Sequence, residues 1–447
     1  MTTANKQRTF PRGGVHPPGT KSRTRDLPLS RSTPPDELAV LLSQHIGAPA
    51  QPAVDKRDEV LMGQIIGRAG GYVSANIHAP VSGKVKKVEN RPHPPTGKPV
   101  PAIIIQNDGE DAWAEGCNEE QNPENLSPEE MVDLVQNAGI VGMGGATFPA
   151  HVKLSPPPEK PVSDVILNGA ECEPLLTCDH RVMVEQTDNL LDAMRLIMRM
   201  VDADSGHIGI EVNKPEAIEA FEQATRGESD MEVHPLKVQY PQGAEQQLIT
   251  AITGREVPSG GGLPADVGCV VHNVAIAIAI RDAIRFRRPL IERPLTVTGE
   301  SVREAGNFIE RIGTSARHIL ERQGIGESAN QLIMGGPMMG VAQAELDVPI
   351  TRGTSGLILR RAQPPGPQRA CIRCGRCVEH CPLGLIPSEL SIYAEKQEWD
   401  LAKQANIMEC KECGCCAYVC PANRRIVHLV QFGKAELAKQ RQKTSDE

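Results

Sequence analysis

Aromatic residues are scarce in this chain: 2 Trp, 4 Tyr and 6 Phe among 447 residues. The 39% hydrophobic content still supplies real cores, and those cores must be mostly aliphatic. No apolar run is long enough to cross a bilayer. The longest, 267–280, is interrupted by His272 and Asn273 and falls short of the roughly 20 residues a spanning helix needs. Positive charge is not in excess either, and a net charge of −8 argues against nucleic acid as the main partner. Residues 1–30 are polar and basic, with no apolar stretch of a secretory signal. That absence speaks against a disulfide framework for the 13 cysteines. It points to a reducing cytoplasm, with any membrane association peripheral.

At roughly 150 residues per domain the length suggests about three domains, more if small modules are present. Residues 1–35 read as an extended arm broken by Gly13-Gly14, Pro17-Pro18 and Pro34-Pro35. Over 36–120, short apolar runs alternate with turns, and 60–66, 72–75, 83–88 and 102–106 read as strands of a small β module. From 121 to 285 helix and strand alternate. Ser127-Pro128-Glu129-Glu130 is a capping box with proline at the first helical position, and the helix it opens runs to about Gly139. Strands are expected at 165–167, 207–212 and 233–239, and helices at 189–200, 215–224 and 244–252. Such alternation implies a mainly parallel sheet covered by helices. Residues 286–362 return to short strands at 295–298, 331–334 and 356–359 around a helix at 316–322, a small α+β module. A Pro-rich linker opens the last unit, 363–447.

That unit holds the strongest chemical signal. Cys371, Cys374, Cys377 and Cys381 are spaced C-x2-C-x2-C-x3-C and followed by Pro382. Cys410, Cys413, Cys416 and Cys420 repeat the spacing before Pro421. Three thiolates of such a loop converge on one [4Fe–4S] cubane, and the fourth serves the other cluster of a two-cluster ferredoxin. Cys371, Cys374, Cys377 and Cys420 are therefore expected on one cluster, and Cys410, Cys413, Cys416 and Cys381 on the other. Zinc is the competing reading, but zinc takes its ligands as two separated pairs. Cys415 is out of register and reads as a bystander. Cys117, Cys172, Cys178 and Cys269 are scattered, as buried structural thiols are.

Two clusters pass single electrons, so a hydride donor such as NADH needs a flavin in between. Four segments of the α/β region are candidates to hold one. The loop Gly142-Met143-Gly144-Gly145-Ala146-Thr147-Phe148-Pro149 could bring backbone N–H groups onto a phosphate, with Lys153 adding charge, or could be a structural turn. Asn168-Gly169-Ala170-Glu171-Cys172-Glu173-Pro174 follows a buried strand, where α/β sheets place ligands. Tyr240-Pro241-Gln242-Gly243-Ala244-Glu245 sits at another strand end, and His272-Asn273-Val274 breaks an apolar run. Several such features in one domain favour a bound ligand.

In this order, the four segments resemble the NADH-binding flavoprotein subunit of respiratory complex I. There a G-x-G-G-x-G-F-P loop, N-A-D-E-x-E-P, Y-x-x-G-E-E and N-N-V-E segments surround FMN and NADH. The resemblance implies cofactor contacts from Gly142, Gly144, Gly145, Lys153, Asn168, Glu171, Glu173, Gly243, Glu245 and Asn273. Glu171, Glu173 and Glu245 would orient flavin and nicotinamide, with no side chain acting as general acid or base. Thr147, Ala170, Ala244, His272 and Ala275 depart from the family's residues. The complex I flavoprotein also has one C-terminal cluster, not two.

The whole chain is more similar to the RnfC family, the C subunits of the Rnf (Rsx) ion-translocating oxidoreductases. The likeness runs from the opening Phe10-Pro11-Arg12-Gly13-Gly14-Val15-His16-Pro17-Pro18 to the paired cysteine motifs. That resemblance implies a barrel-sandwich-like β module, a Rossmann-like flavin domain, a small β-grasp (SLBB-like) module and a two-cluster ferredoxin domain. It implies a peripheral subunit on the cytoplasmic face of a bacterial inner membrane. Its partners would be the other subunits, including a ferredoxin-like one. Electrons would pass between NADH, FMN, two [4Fe–4S] clusters and ferredoxin, coupled elsewhere to ion movement. Two alternatives remain: a soluble NADH-dependent flavin/iron–sulfur reductase similar to the cobalamin reductase, and a cluster-bearing scaffold that binds no nucleotide.

Ala79-Pro80-Val81-Ser82-Gly83-Lys84-Val85 resembles biotinyl and lipoyl domains, but no lysine lies between Asp58 and Gly83 to carry a swinging arm. The β module is expected to be an interaction platform. In the tail, Arg424, Arg425, Lys434, Lys439, Arg441 and Lys443 surround Ile426, Val427, Leu429, Val430 and Phe432. Such a helix docks on lipid or an acidic partner, or it covers the second cluster. The second reading is preferred, because an apolar shell controls solvent access to a cluster.

Overall fold

The computed structural model describes residues 7–144, 147–362, 364 and 366–445, the last five as backbone alone. Successive parts of the chain build separate aliphatic cores, as the shortage of aromatics requires.

In the first, strands Glu37–Leu41, Pro99–Asn107, Gly83–Pro92 and Glu59–Val60 pair antiparallel in that order. A second antiparallel sheet, Gln51–Pro52, Ile65–Arg68 and Ile77–His78, shares their core. Side-chain alternation sends Ile103 and Ile105 into it, while Ala102 and Ile104 pack with Leu41 on the other face. The expected strand at 72–75 is absent. Ser74 there donates to the Ala48 carbonyl at 2.8 Å and accepts from Gly70 N, a local turn that competes with the ladder.

The α/β unit is a four-stranded parallel sheet in the order Met231–Leu236, Ser205–Glu211, Asp164–Gly169, Cys269–Asn273. Val165 and Leu167 face one layer, with helices Pro128–Asn137, Thr187–Val201 and Val274–Phe286. Ile166 faces the other, with helix Glu245–Thr253. Burial on both faces is why these strands read as continuous apolar runs. The apolar run 267–280 resolves into the last strand and the following helix. Asn273 is the hinge, capping that helix by accepting from Ala275 N. Strand order reverses between Asp164–Gly169 and Cys269–Asn273, so Asn168 and Asn273 sit side by side at the switch point.

The third unit is a six-stranded sheet, Leu29–Arg31, Gly306–Arg311, Glu292–Thr298, Gly356–Arg360, Gln331–Met334 and Val341–Gln343, covered by helix Ala316–Gln323. Its edge strand Leu29–Arg31 comes from the N-terminal arm and runs parallel to Gly306–Arg311. The arm is laced down along its length. Arg8 N donates to Pro235 O, and Val15 exchanges two backbone hydrogen bonds with Tyr240.

In the last unit, helices Pro387–Glu395 and Ile426–Ser445 pack together, burying Ile426, Val430 and Leu437 against Leu390, Ala394 and Ile407. Ile426, Val430 and Leu437 of the tail are therefore core, while Phe432 is 43% exposed.

Candidate cluster and flavin sites

Each cysteine motif folds as a tight loop ending in a single helical turn, Arg376–Glu379 and Cys415–Tyr418. Gly375 and Gly414 open those turns at φ +76° and +84°, which side chains rarely adopt. The loops sort the eight cysteines into two cavities. Cys381, Cys410, Cys413 and Cys416 line one, with Leu390, Val427 and Val430. Cys371, Cys374, Cys377 and Cys420 line the other, with Ile392, Tyr393 and Ile426. Each set is three thiols of one motif plus the fourth of its partner.

Among the described residues, no three of these eight sulfurs lie within 4.8 Å of one another. A zinc ion with Zn–S of about 2.3 Å would gather four of them at about 3.8 Å. The wider spacing suits a cubane. Burial pushes the Cys410 thiol up to about 11 and Cys416 above its ordinary value. A free thiolate is costly in such a cavity, and iron supplies the compensating charge.

The two cavities differ in their surroundings. The Cys381–Cys416 cavity abuts the α/β unit. The Tyr240 phenol donates to Cys413 O at 2.7 Å, and Gln247 Nε2 to Pro382 O at 3.4 Å. Gly14 N donates to His380 O, and a Cβ on Gly13 would lie 2.6 Å from the Cys381 carbonyl. The Gly13-Gly14 pair is what lets the arm thread this seam. Cys415 is fully buried there with Tyr240, Val15, Cys172 and Met338, and its thiol donates to Tyr240 O at 3.8 Å. The other cavity faces outward, with Cys374 exposed.

The flavin candidates fall in two places: Asn168, Gly243 and Asn273 at the strand ends of the switch point, and the glycine loop against the third unit. Gly142 N donates to Phe148 O at 2.9 Å, closing the glycine loop, and Gly144 lies open, with nothing within 4 Å of the place a Cβ would take. Gly145 lies outside the described residues. Thr147 holds φ +50°, where the resembled family has glycine, and its methyl would meet a Cβ on Gly353 at 2.7 Å. Arg293, fully buried, ties this loop to the third unit by donating to Met143 O at 3.0 Å.

Lys153 and Glu245 form an ion pair with each other, and Lys153 Nζ lies 3.3 Å from Val271 O in the last strand. Asn168 Nδ2 donates to Gly243 O at 2.7 Å, joining two strand ends. A Cβ on Gly243 would sit 3.3 Å from Ala170 Cβ and from Asn168 Oδ1, a tight fit at that approach. Asn273 donates to Asp179 at 2.6 Å. Glu171, at φ +45°, accepts from Asp179 N at 2.8 Å and lies 3.6 Å from Lys21 Nζ. Burial, reinforced by the Glu171 charge, raises the Asp179 carboxyl to about 6. Glu173 turns away to the third unit, where its carboxylate accepts from Met338 N at 3.0 Å and Met339 N at 2.9 Å.

Sequence reasoning missed Asp179, Lys21, Arg293 and the buried pair Glu211–Lys214, whose ammonium donates to Ala170 O at 2.6 Å. Glu-x-x-Lys straight after a strand was the readable signal for the last. The others are brought in from remote segments. An open glycine loop, paired asparagines at the switch point and buried carboxylates flanked by cations fit a phosphorylated flavin.

Comparison with known proteins supplies the family. Residues 9–110 match the RnfC barrel sandwich hybrid domain, 135–282 the Nuo51 FMN-binding domain, and 370–424 the 4Fe-4S dicluster domain. The C subunit of the proton-translocating ferredoxin:NAD(+) oxidoreductase complex of Clostridium ljungdahlii is 47% identical, over 95% of this chain and 93% of its own. The C subunit of the Na(+)-translocating ferredoxin:NAD(+) oxidoreductase complex of Acetobacterium woodii is 43% identical, over 98% and 99%. That of the ion-translocating oxidoreductase complex of Rhodobacter capsulatus is 42% identical, over 96% and 83%. No helix among the described residues is long and apolar enough to cross a membrane. The chain belongs to the family of C subunits of the Rnf-type ion-translocating ferredoxin:NAD(+) oxidoreductases.

Proposed function

We propose that this chain passes electrons between NAD(H) and an iron–sulfur partner, as a peripheral subunit on the cytoplasmic face of a bacterial inner membrane, within a complex that couples ferredoxin:NAD+ electron transfer to ion translocation. The observation that carries the reading is the seam at Tyr240 and Cys413, which joins the switch-point crevice to one four-cysteine cavity with the second cavity beyond it.

FMN, when bound, supplies the conversion between a two-electron hydride and single electrons. Gly142, Gly144 and Gly145 would cradle its phosphate through backbone N–H groups, and Asn168, Gly243 and Asn273 would shape the floor under the ring. Lys153 and Glu245, already paired, would meet the nucleotide at the crevice rim. Glu171 would sit beside Asp179 and Lys21, in a buried group whose Asp179 carboxyl is raised to about 6. Cys381, Cys410, Cys413 and Cys416 would hold the cluster next to this crevice. Cys371, Cys374, Cys377 and Cys420 would hold the outer one. The apolar walls from Leu390, Val427 and Val430 exclude water from the inner site.

Anaerobic purification followed by FMN and iron assays, then NADH addition with visible and EPR spectra, tests this. Flavin bleaching followed by reduced-cluster signals is expected. Clusters present without FMN or NADH binding would leave only a scaffold.

A further inference from the structure

We propose that the parallel sheet carries a site for a first-row divalent transition-metal cation, made by His207, His234 and Glu232, short of the strand ends that form the crevice. The three residues stand on adjacent parallel strands, with His207 opposite Glu232 and His234 two residues further on. Alternation along the strands puts all three, with Asp164, on the face that carries Ile166. Helix Glu245–Thr253 covers the aliphatic part of that face. At the helix's C-terminal end Arg8 Nη1 donates to Ile252 O at 2.5 Å, and there the face turns from aliphatic to imidazole and carboxylate. One ligand atom from each of His207, Glu232 and His234 lies within 4.8 Å of the other two.

His207 is oriented as metal-bound histidines are. Its Nε2 lies 2.8 Å from Asp164 Oδ1, and Arg255 Nη2 donates to Oδ2 of the same carboxylate at 2.6 Å. A carboxylate only accepts, so Nε2 carries the proton and Nδ1 presents a lone pair, the arrangement that fixes ring and tautomer behind a metal. That Nδ1 faces His234 Nε2, 2.9 Å away. His234 is 1% exposed, and its Nδ1 makes no hydrogen bond among the described residues, although Glu232 Oε1 is 3.5 Å away. An imidazole pair alone leaves this buried nitrogen unsatisfied. A cation held by His207 Nδ1 and His234 Nε2 corrects that: the Nε2 proton moves to Nδ1, beside the Glu232 carboxylate, and no net proton is released. Glu232 supplies the third donor with one carboxylate oxygen, while Arg8 Nη2 stands 3.3 Å from its Oε1. Zinc–nitrogen bonds of about 2.0–2.1 Å put tetrahedral ligand atoms about 3.3–3.4 Å apart, so the two rings need to part by about 0.4 Å. Imidazole with carboxylate suits zinc and its first-row neighbours, not calcium or magnesium. Three protein ligands leave a fourth position to water, and the Glu232 side chain, 62% exposed, opens the route of entry.

The test uses the full-length holoprotein, chelator-washed at unchanged iron content, with Zn2+ alone as the probe. Equilibrium dialysis followed by metal analysis should find one zinc per chain with a Kd below about 10 μM. X-ray absorption at the zinc edge should show nitrogen and oxygen neighbours at about 2.0–2.2 Å with imidazole scattering, and no sulfur at about 2.3 Å. Glu232→Gln and His207→Gln should each weaken binding at least tenfold with iron content retained; Glu232 is exposed, so its variant decides the matter should His207→Gln fail to fold. Asp164→Asn, a positioning change that touches no metal, should keep the stoichiometry and weaken affinity by about 10–100-fold. Glu219→Gln, at an exposed carboxylate of helix Pro215–Ala224, should bind zinc as wild type does. The site is overturned if wild type takes up no zinc in this range, if the edge shows sulfur neighbours, or if Glu232→Gln binds zinc as tightly as Glu219→Gln.

Discussion

The phenol of Tyr240 donates a 2.7 Å hydrogen bond to the carbonyl of Cys413, so one residue of the crevice-forming segment grips the backbone of a cluster motif. Burial raises the phenol well above its ordinary value, which keeps it a donor at any working pH. Tyr240→Phe leaves that carbonyl unpaired in a buried seam, at a cost of about 1–3 kcal/mol. Iron content should persist, while reduction of the inner cluster after NADH addition slows severalfold in stopped-flow traces. An unchanged rate would mean that electrons do not cross at this seam.

Cross-ligation separates the two clusters by mutation. Cys420→Ser should lose the same cluster as Cys374→Ser, although those residues belong to different motifs, and Cys381→Ser should lose the same cluster as Cys413→Ser. Each variant should keep about half the iron, and EPR of the reduced protein should show one isolated cluster without spin coupling. If Cys420→Ser instead matches Cys413→Ser, each motif holds its own cluster and the sorting by cavity is wrong.

The cysteine sets were legible because ligand spacing is local: C-x2-C-x2-C-x3-C determines the loop wherever it stands. The parallel sheet was legible for a similar reason, since strand and helix periods differ within ten residues. The last strand and helix were not, because Cys269–Asn273 and Val274–Phe286 form one apolar run whose only punctuation is a cap residue. Non-local roles were also hidden. Cys415 reads as a bystander by register, yet it is buried between Cys413 and Tyr240, a residue 175 positions away. Lys21 reaches Glu171 from the arm and Arg293 reaches Met143 from the third unit, and no window around the flavin motifs contains them.

Glu173 stands in a segment that resembles a flavin-binding motif, but both carboxylate oxygens accept from backbone N–H groups of Met338 and Met339. Gly336 packs so closely that a Cβ there would lie 2.3 Å from Glu173 Oε2. Glu173→Gln can accept only one of those bonds and turns an amide N–H toward the other donor. A loss of about 1–3 kcal/mol in stability is expected, with FMN affinity changed less than twofold in a fluorescence titration. A large loss of FMN affinity at unchanged stability would return Glu173 to the flavin.

His272 gives the pH dependence a residue and a sign. It lies at the end of the last strand, fully enclosed, and burial followed by the charge of Lys153 lowers it from 6.5 to about 3. The folded chain therefore keeps it neutral while the unfolded chain protonates it below pH 6.5. The stability this difference contributes is complete above pH 6.5 and is lost as pH falls toward 3. One such histidine costs about 1.4 kcal/mol between pH 7.5 and 5.5. His78 and His234, also lowered to about 3, add losses of the same sign. Asp179 works in the opposite direction: its carboxyl is raised to about 6, so acidification relieves a buried charge. His272→Asn leaves the other three groups in place. Its drop in urea stability between pH 7.5 and 5.5 should therefore be smaller than wild type's by about 1.4 kcal/mol. Equal drops would mean that His272 carries its proton in the folded chain, and that the crevice is wetter than its burial indicates.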